Sequence, residues 1–430
     1  MAAGAAWRGS STLAVVFPVR SAAAVGLALL VVAGCSGGDD ATPEPTVAAT
    51  TSTVAPSREG DGQLKIGILL PTSDAVIGKP LIDAAELAIE KINEAGGVLG
   101  EQVLSVAADE GSTTAIASDS IQRLIAQNVD AIVGPSSSLI TLATLGDIVS
   151  ADVVDCSPTA SALALDNFPD HELFFRTIPS DSLQAVAIAE QVQQSGAQTV
   201  AVVHVNDAYG RGLAQAVTSA LEARRITVLD TLPFNGHDDD LVDDAGRVVA
   251  LGARAAVVLA DGLDGTSFVN ALGQVDTSSL LRVIVNDAMR MPSSPQVIQA
   301  LDPAFREKLL GVAPQAEPSA DASFEPAGFY AVNAFDCVNL IALAAMQAGS
   351  DAPGDIAGQM ANVSAGGASC RSFAECAATF AESLDFDYDG PSGVTELIVR
   401  QGDPKRAVFE TFAFDETGRD QVVSTEVVEQ

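Results

Sequence analysis

The chain has 430 residues, 22 of them basic and 56 acidic, for a net charge of −34 with histidines neutral. A body this acidic is repelled by nucleic-acid phosphates and by anionic lipid head groups, which excludes both as binding partners at the sequence level. Nearly half of the residues are apolar yet only 5% are aromatic, a balance that suits helices packed on buried strands, and the length allows two domains.

The first informative stretch is the apolar run from Ser21 to Gly34, preceded by Arg8 and Arg20 and closed by Val32-Ala33-Gly34-Cys35. It is short for a membrane span of about 20 residues and ends in small residues before a cysteine, the form of a lipoprotein cleavage site. Residues 1–34 are therefore expected to be a signal peptide, and Cys35 to carry a lipid that holds the protein at the outer face of the cell membrane. Two acyl chains anchor far more firmly than one. Residues 35–63 are rich in Pro, Thr, Ser, Ala and acid without apolar periodicity. Such a segment cannot bury enough surface to offset its chain entropy, and reads as a flexible tether.

From there strand and helix alternate. The apolar run at 64–70 predicts a buried strand, and the spacing of Leu81, Ala84, Ala85, Ala88, Ile89 and Ile92 predicts a helix over 81–95, stopped by Gly96-Gly97. Strands follow at 103–107, 131–133 and 153–155, and helices at 115–127, 139–150 and 182–195. The same beat continues with a strand at 199–204, a helix at 213–223, a strand at 226–232, a helix at 240–251 and a strand at 255–259. This alternation predicts an α/β fold of doubly wound parallel sheets covered by helices on both faces. Ligands of such sheets sit beyond the carboxyl ends of the strands, which directs attention to the loops after Leu70, Val133, Asp155, His204, Leu259 and Val285.

Those loops carry strings in a telling order: LKIGILLP, DAAELAIEKINEAGGVLG, DAIVGPSSS, CSPTAS, FFRTIPSD and NDAYGRGLA. Together they resemble the leucine/isoleucine/valine-binding type of type I periplasmic binding protein, the substrate-binding lipoproteins of ABC importers, over about Leu64 to Gly418. The resemblance implies two doubly wound lobes joined by three crossing segments, with a small ligand in the cleft between them. Lobe one is then 64–176 plus 313–406, and lobe two 177–312 plus 407–430. It further implies ABC permease subunits as partners, a monomer, no cofactor, and no contact with the membrane except through the lipid.

The residue types suit a zwitterionic amino acid. Gly134-Pro135-Ser136-Ser137-Ser138 and Ser157-Pro158-Thr159-Ala160-Ser161 are hydroxyl-rich loops that each follow a strand, and their amides and hydroxyls can hold a carboxylate without a cationic side chain. The resemblance implies that Ser138 and Thr159-Ala160-Ser161, with Ser137 beside them, face the ligand; the competing reading is that these strings make turns and cap helices. By resemblance Tyr209 closes over the ligand from lobe two and Asp287 pairs with its ammonium; Asp261, from its place at the end of another lobe-two strand, is expected to line the cleft. A carboxylate in a closing cleft is costly unless paired, which favours a cationic head group, although Asp287 also reads as a turn or helix cap before Pro292. The segment Thr72–Gly78 lacks the aromatic residue that many relatives place near Ile77, so the ligand's side chain is left open, and a related small polar solute such as an amide remains an alternative.

Nothing in the motifs points to an enzyme. His171, His204 and His237 lie in unrelated contexts without metal-ligand spacing, no Gly-x-Ser-x-Gly elbow is present, and Gly96-Gly97-Val98-Leu99-Gly100 follows a helix rather than a strand. Asp238-Asp239-Asp240 reads as an acidic helix start. The string Asp385-x-Asp387-x-Asp389-Gly390 with Glu396 fits a calcium loop by letter, but a helix over 373–383 and a strand over 394–399 flank it, and relatives carry a Gly-Pro-x-Gly turn there; no metal is expected. Once Cys35 is lipidated, four cysteines remain for an oxidising compartment, with three possible pairings. Cys370 and Cys376 are close in sequence, and the resemblance places Cys156 and Cys337 in the same lobe, so Cys156–Cys337 and Cys370–Cys376 are expected. The expected function is an extracytoplasmic receptor that delivers an amino acid or related polar solute to an ABC permease; the alternative is a sensor of the same fold that signals to a membrane partner without transport.

Overall fold

In a computed structural model the described residues are 58–430, apart from 237–239, 261, 291–293, 316–327, 383 and 394–395. The expected signal peptide, Cys35 and most of the tether lie outside them, as do Asp261 and His237.

The first lobe is built on β1 (Lys65–Leu70), β2 (Leu104–Asp109), β3 (Ala131–Val133), β4 (Val154–Ser157) and β5 (Phe174–Arg176), interleaved with α1 (Gly78–Glu94), α2 (Thr114–Ala126) and α3 (Ser138–Ser150). All neighbouring strands are parallel, in the order β2-β1-β3-β4-β5. The apolar stripe of α1 read from the sequence is its buried face, and positive φ angles at Gly96 and Gly97 turn the chain out of the helix.

The second lobe starts with α4 (Asp181–Gln194), β6 (Thr199–Val205), α5 (Ala208–Ala223), β7 (Thr227–Phe234), α6 (Leu241–Ala250), β8 (Ala255–Leu259), α7 (Gly262–Leu272) and β9 (Arg282–Asn286). It continues through α8 (Ser294–Ala300) and α9 (Pro303–Arg306) to β10 (Leu309–Pro314). The chain then returns to the first lobe with α10 (Ala331–Ala348), α11 (Pro353–Met360), β11 (Ala368–Cys370), α12 (Phe373–Ala381) and β12 (Phe386–Tyr388). It ends in the second lobe with β13 (Arg406–Phe414) and β14 (Asp420–Glu429). By length and mean hydropathy, 1.4, α10 could span a bilayer, but 78% of it is buried in the protein and it packs on α1 as a core helix. Cys156–Cys337 ties the end of β4 to α10, and Cys370–Cys376 ties β11 to α12.

The second sheet has the expected parallel core and adds two antiparallel strands at one edge. Its order is β7-β6-β8-β9-β10-β13-β14, parallel as far as β10, with β13 antiparallel to β10 and β14 antiparallel to β13. A tight turn suffices to join antiparallel strands, whereas a parallel pair needs a crossover helix, and the chain here returns through Asp415–Gly418 with φ +79° at Gly418. Two other elements differ. Helix α5 starts five residues earlier than its apolar spacing suggests, because Asp207 caps it by accepting from Gly210 N at 2.7 Å. The strand expected over 394–399 is reduced, among the described residues, to a single antiparallel bridge between Leu397 and Pro404.

Both sheets reverse strand order between their first and third strands, β1/β3 in one and β6/β8 in the other. The carboxyl ends at such a reversal open a crevice where ligands of this architecture bind. Ile77 and the Ser136–Ser138 loop follow the first reversal; Tyr209 and Gly262 follow the second.

Candidate functional site between the lobes

The first wall of the cleft is the Gly134–Ser138 loop. Gly134 has φ +104°, and a Cβ there would meet Leu69 O at 2.0 Å, so only glycine fits. Beneath the loop lies Glu110, 1% exposed, which accepts from Ser136 N (2.8 Å), Ser136 Oγ (2.7 Å) and Ser137 N (2.8 Å). Burial pushes its carboxyl pKa up, and these bonds work against that shift. Ser137 Oγ caps α3, so that hydroxyl does what the competing reading assigned to it. Ser138 Oγ accepts from Ala162 N at 3.2 Å, linking the two hydroxyl-rich loops. It also lines a cavity of about 110 Å³ that Tyr209 and Ala208 close from the other lobe.

In the second loop Thr159 Oγ1 donates to Ser136 O at 2.8 Å, and Ala160 is fully buried, its N–H held by Ser157 Oγ. Thr159 and Ala160 thus shape the loop, the Ser161 side chain bonds Asp181, and the hydroxyl left to donate to a ligand is that of Ser138. Arg176, at the end of β5 and 0% exposed, donates through Nη1 to Ala160 O (3.2 Å) and Ala162 O (3.3 Å), through Nε to Asp403 (2.7 Å), and through Nη2 to Asp166. One guanidinium therefore ties the loop after β4 to β5 and to Asp403, which precedes β13.

From the other side come Asp287 and Tyr209, while Tyr330, just before α10 of the first lobe, reaches across to Asp287. Asp287 opens a 3₁₀ turn directly after β9, and its two oxygens accept from Gln184 Nε2 (2.9 Å) and Tyr330 OH (2.9 Å). Tyr209 OH accepts from Asn286 Nδ2 at 3.1 Å. Sequence reasoning missed a second carboxylate, that of Asp181. It is 1% exposed, its N–H is held by Ser161 O at 2.9 Å, and its Oδ1 has no partner among the described residues. Burial pushes its pKa up to about 7; a bond from Ser161 lowers it and the charge of Asp287 raises it. Burial, and after it the charges of Asp181 and Asp287, hold the Tyr209 phenol well above its ordinary range. Neither carboxylate forms an ion pair with a protein cation among the described residues, so the cleft presents two negative groups opposed by neutral donors. The available signal for Asp181 was its place right after the first crossing, in Pro179-Ser180-Asp181.

Among the described residues no group of three metal-ligating side chains forms at the calcium-loop letters, and most of them have other partners. Asp385 caps Phe386 N, Asp389 accepts from Ser369, and Glu396 pairs with Lys405. The Gly390–Ser392 turn is instead held by buried Asp336, which accepts from Tyr388 OH and from Ser392 N and Oγ.

A family model described as periplasmic binding protein matches residues 63–324. The chain belongs to that family. A substrate-binding protein of a chemotactic signal transduction system in Halobacterium salinarum, BasB, is 29% identical over 356 residues, covering 77% of this chain and 83% of that protein. The Leu/Ile/Val-binding protein BraC3 of Rhizobium johnstonii is 26% identical over 265 residues, 55% of this chain and 72% of that one. The structure of LivJ from Streptococcus pneumoniae with isoleucine superimposes with a TM-score of 0.65 at 22% identity, over 86% of this chain and all of that one, and shows the shared fold. Members of this family bind solutes outside the cytoplasm rather than catalysing reactions.

Proposed function

We propose that this periplasmic binding protein is a lipid-anchored receptor that holds an α-amino acid between its lobes and delivers it to an ABC permease. The observation carrying the reading is the pair Asp181 and Asp287, two carboxylates without an ion-paired cation among the described residues, set against the Ser138 hydroxyl on the other wall. An ammonium satisfies the pair and a carboxylate the hydroxyl. The lobes, taken as 64–176 plus 313–406 and 177–312 plus 407–430, close by bending the crossing segments, which buries the ligand and forms the surface a permease reads. Lipidation at Cys35 would keep the receptor beside its permease, and a Cys35→Ala variant that stays in the membrane fraction overturns the anchor.

Binding by this route is pH-dependent. Asp181 holds its proton up to about pH 7 in the empty cleft, and an ammonium against it favours the ionised form, so its pKa falls in the complex. Below about 7 the ligand must expel that proton, and affinity should drop by up to about tenfold per pH unit while staying level above 7. Calorimetric titration with amino acids across that range, in buffers of different ionisation enthalpy, should show proton release; pH-independent affinity without release removes Asp181 from the site.

The similarity to the chemotactic BasB supports one second reading, a sensor that signals without transport. Uptake of the labelled ligand by cells lacking this protein separates the two: undiminished uptake favours the sensor.

A further inference from the structure

A cavity of about 260 Å³ is lined by Asp287, Ile77, Ala288, Arg290, Phe329 and Tyr330. Asp287 and Arg290 are the first and last residues of one 3₁₀ turn. Side chains three apart in such a turn lie on the same side, separated by roughly 6 Å of rise. Arg290 is 10% exposed and anchored: Nη1 donates to Glu410 at 2.7 Å, Nε donates to Asp420 at 3.0 Å, and the guanidinium lies 4.8 Å from the Phe412 ring centroid. A guanidinium has five N–H donors, so three remain without a protein partner among the described residues.

Resting on the amino-acid reading above, we propose that the ligand's side chain is about as long as that of glutamine and ends in a neutral hydrogen-bond acceptor, an amide or ureido group, received by Arg290. The surroundings select for neutrality. Glu410, Asp420 and Asp287 already outnumber the single guanidinium, so a second carboxylate on the ligand enters a negative environment. A cationic terminus carries only donors and cannot accept from the remaining guanidinium N–H groups. A purely apolar side chain would displace water from the remaining guanidinium N–H groups and replace it with nothing that accepts. An amide oxygen takes those donors without adding charge, while Ile77 and the two aromatic rings cover the methylene stem.

Calorimetric titration of the protein with L-glutamine, L-glutamate and L-leucine decides the matter. Glutamine should bind about tenfold or more tighter than either of the others, and in Arg290→Lys, which loses the planar fork, the glutamine-to-leucine ratio should fall toward one. Leucine or glutamate binding tighter than glutamine, or a glutamine preference that survives in Arg290→Lys, overturns the proposal while leaving the amino-acid reading in place. Failure of all three to bind removes that reading and this proposal with it. Should Arg290→Lys fail to fold, the ranking of the three ligands on the wild-type protein decides alone.

Discussion

Asp287→Ala should weaken amino-acid binding by more than about tenfold, the largest loss expected from any single side chain of the cleft. Truncating one member of a buried charge pair typically costs about 2–5 kcal/mol, because the other charge stays buried without its partner. Here the variant also strands the Tyr330 OH and one N–H of Gln184 Nε2, whose other N–H keeps Val312 O. Asp181 retains one negative charge in the variant and keeps the loss toward the lower part of that range. Ser138→Ala should cost less, about 0.5–1.5 kcal/mol, since it removes one neutral hydrogen bond. Calorimetric titration of both variants with the amino acid that binds the wild type is the check. Wild-type affinity in Asp287→Ala would mean that the ligand has no cationic head group, and the reading would pass to a neutral amide or polyol.

Arg176→Met is the variant expected to cost the most stability. Its guanidinium is fully buried, and its loss leaves Asp403, 1% exposed, and Asp166, 16% exposed, without their cation. Removing one partner of a buried ion pair costs about 3–5 kcal/mol. The loss has a pH signature. Burial raises the pKa of Asp403 and Arg176 pulls it down; without Arg176 the carboxyl takes up a proton more readily, so the deficit should shrink toward mildly acidic pH, where the stranded group is neutral. Urea denaturation at neutral and mildly acidic pH measures both effects, and Asp403→Asn added to Arg176→Met should recover part of the loss. A deficit below about 1 kcal/mol at neutral pH would show that the hub is dispensable to the fold. Because Arg176 also holds the Ala160 and Ala162 carbonyls, any folded variant should bind ligand more weakly as well.

Local information in the chain determined a good deal. The apolar stripe of α1, the glycines that end it, and the run of short buried strands each depend on residues within a few turns of one another, and they placed the α/β alternation before any tertiary contact was considered. The same holds for the loops at strand ends, where Ser138, Tyr209 and Asp287 lie. What only the tertiary structure decided involves residues far apart in sequence. Asp181 had an adequate local explanation as an acid in the first turn of a helix, and its unpartnered oxygen near Asp287 becomes apparent only when α4 and the turn after β9 are brought together. Tyr330 and Gln184 reach Asp287 across 43 and 103 residues, a convergence that no spacing rule encodes. Conversely, Ser137 and Thr159 looked free as letters but spend their hydroxyls on a helix cap and on a neighbouring carbonyl. The antiparallel strands β13 and β14 escaped for a related reason: strand direction is set by where the chain re-enters the second lobe, and hydrophobic periodicity is the same for a strand running either way.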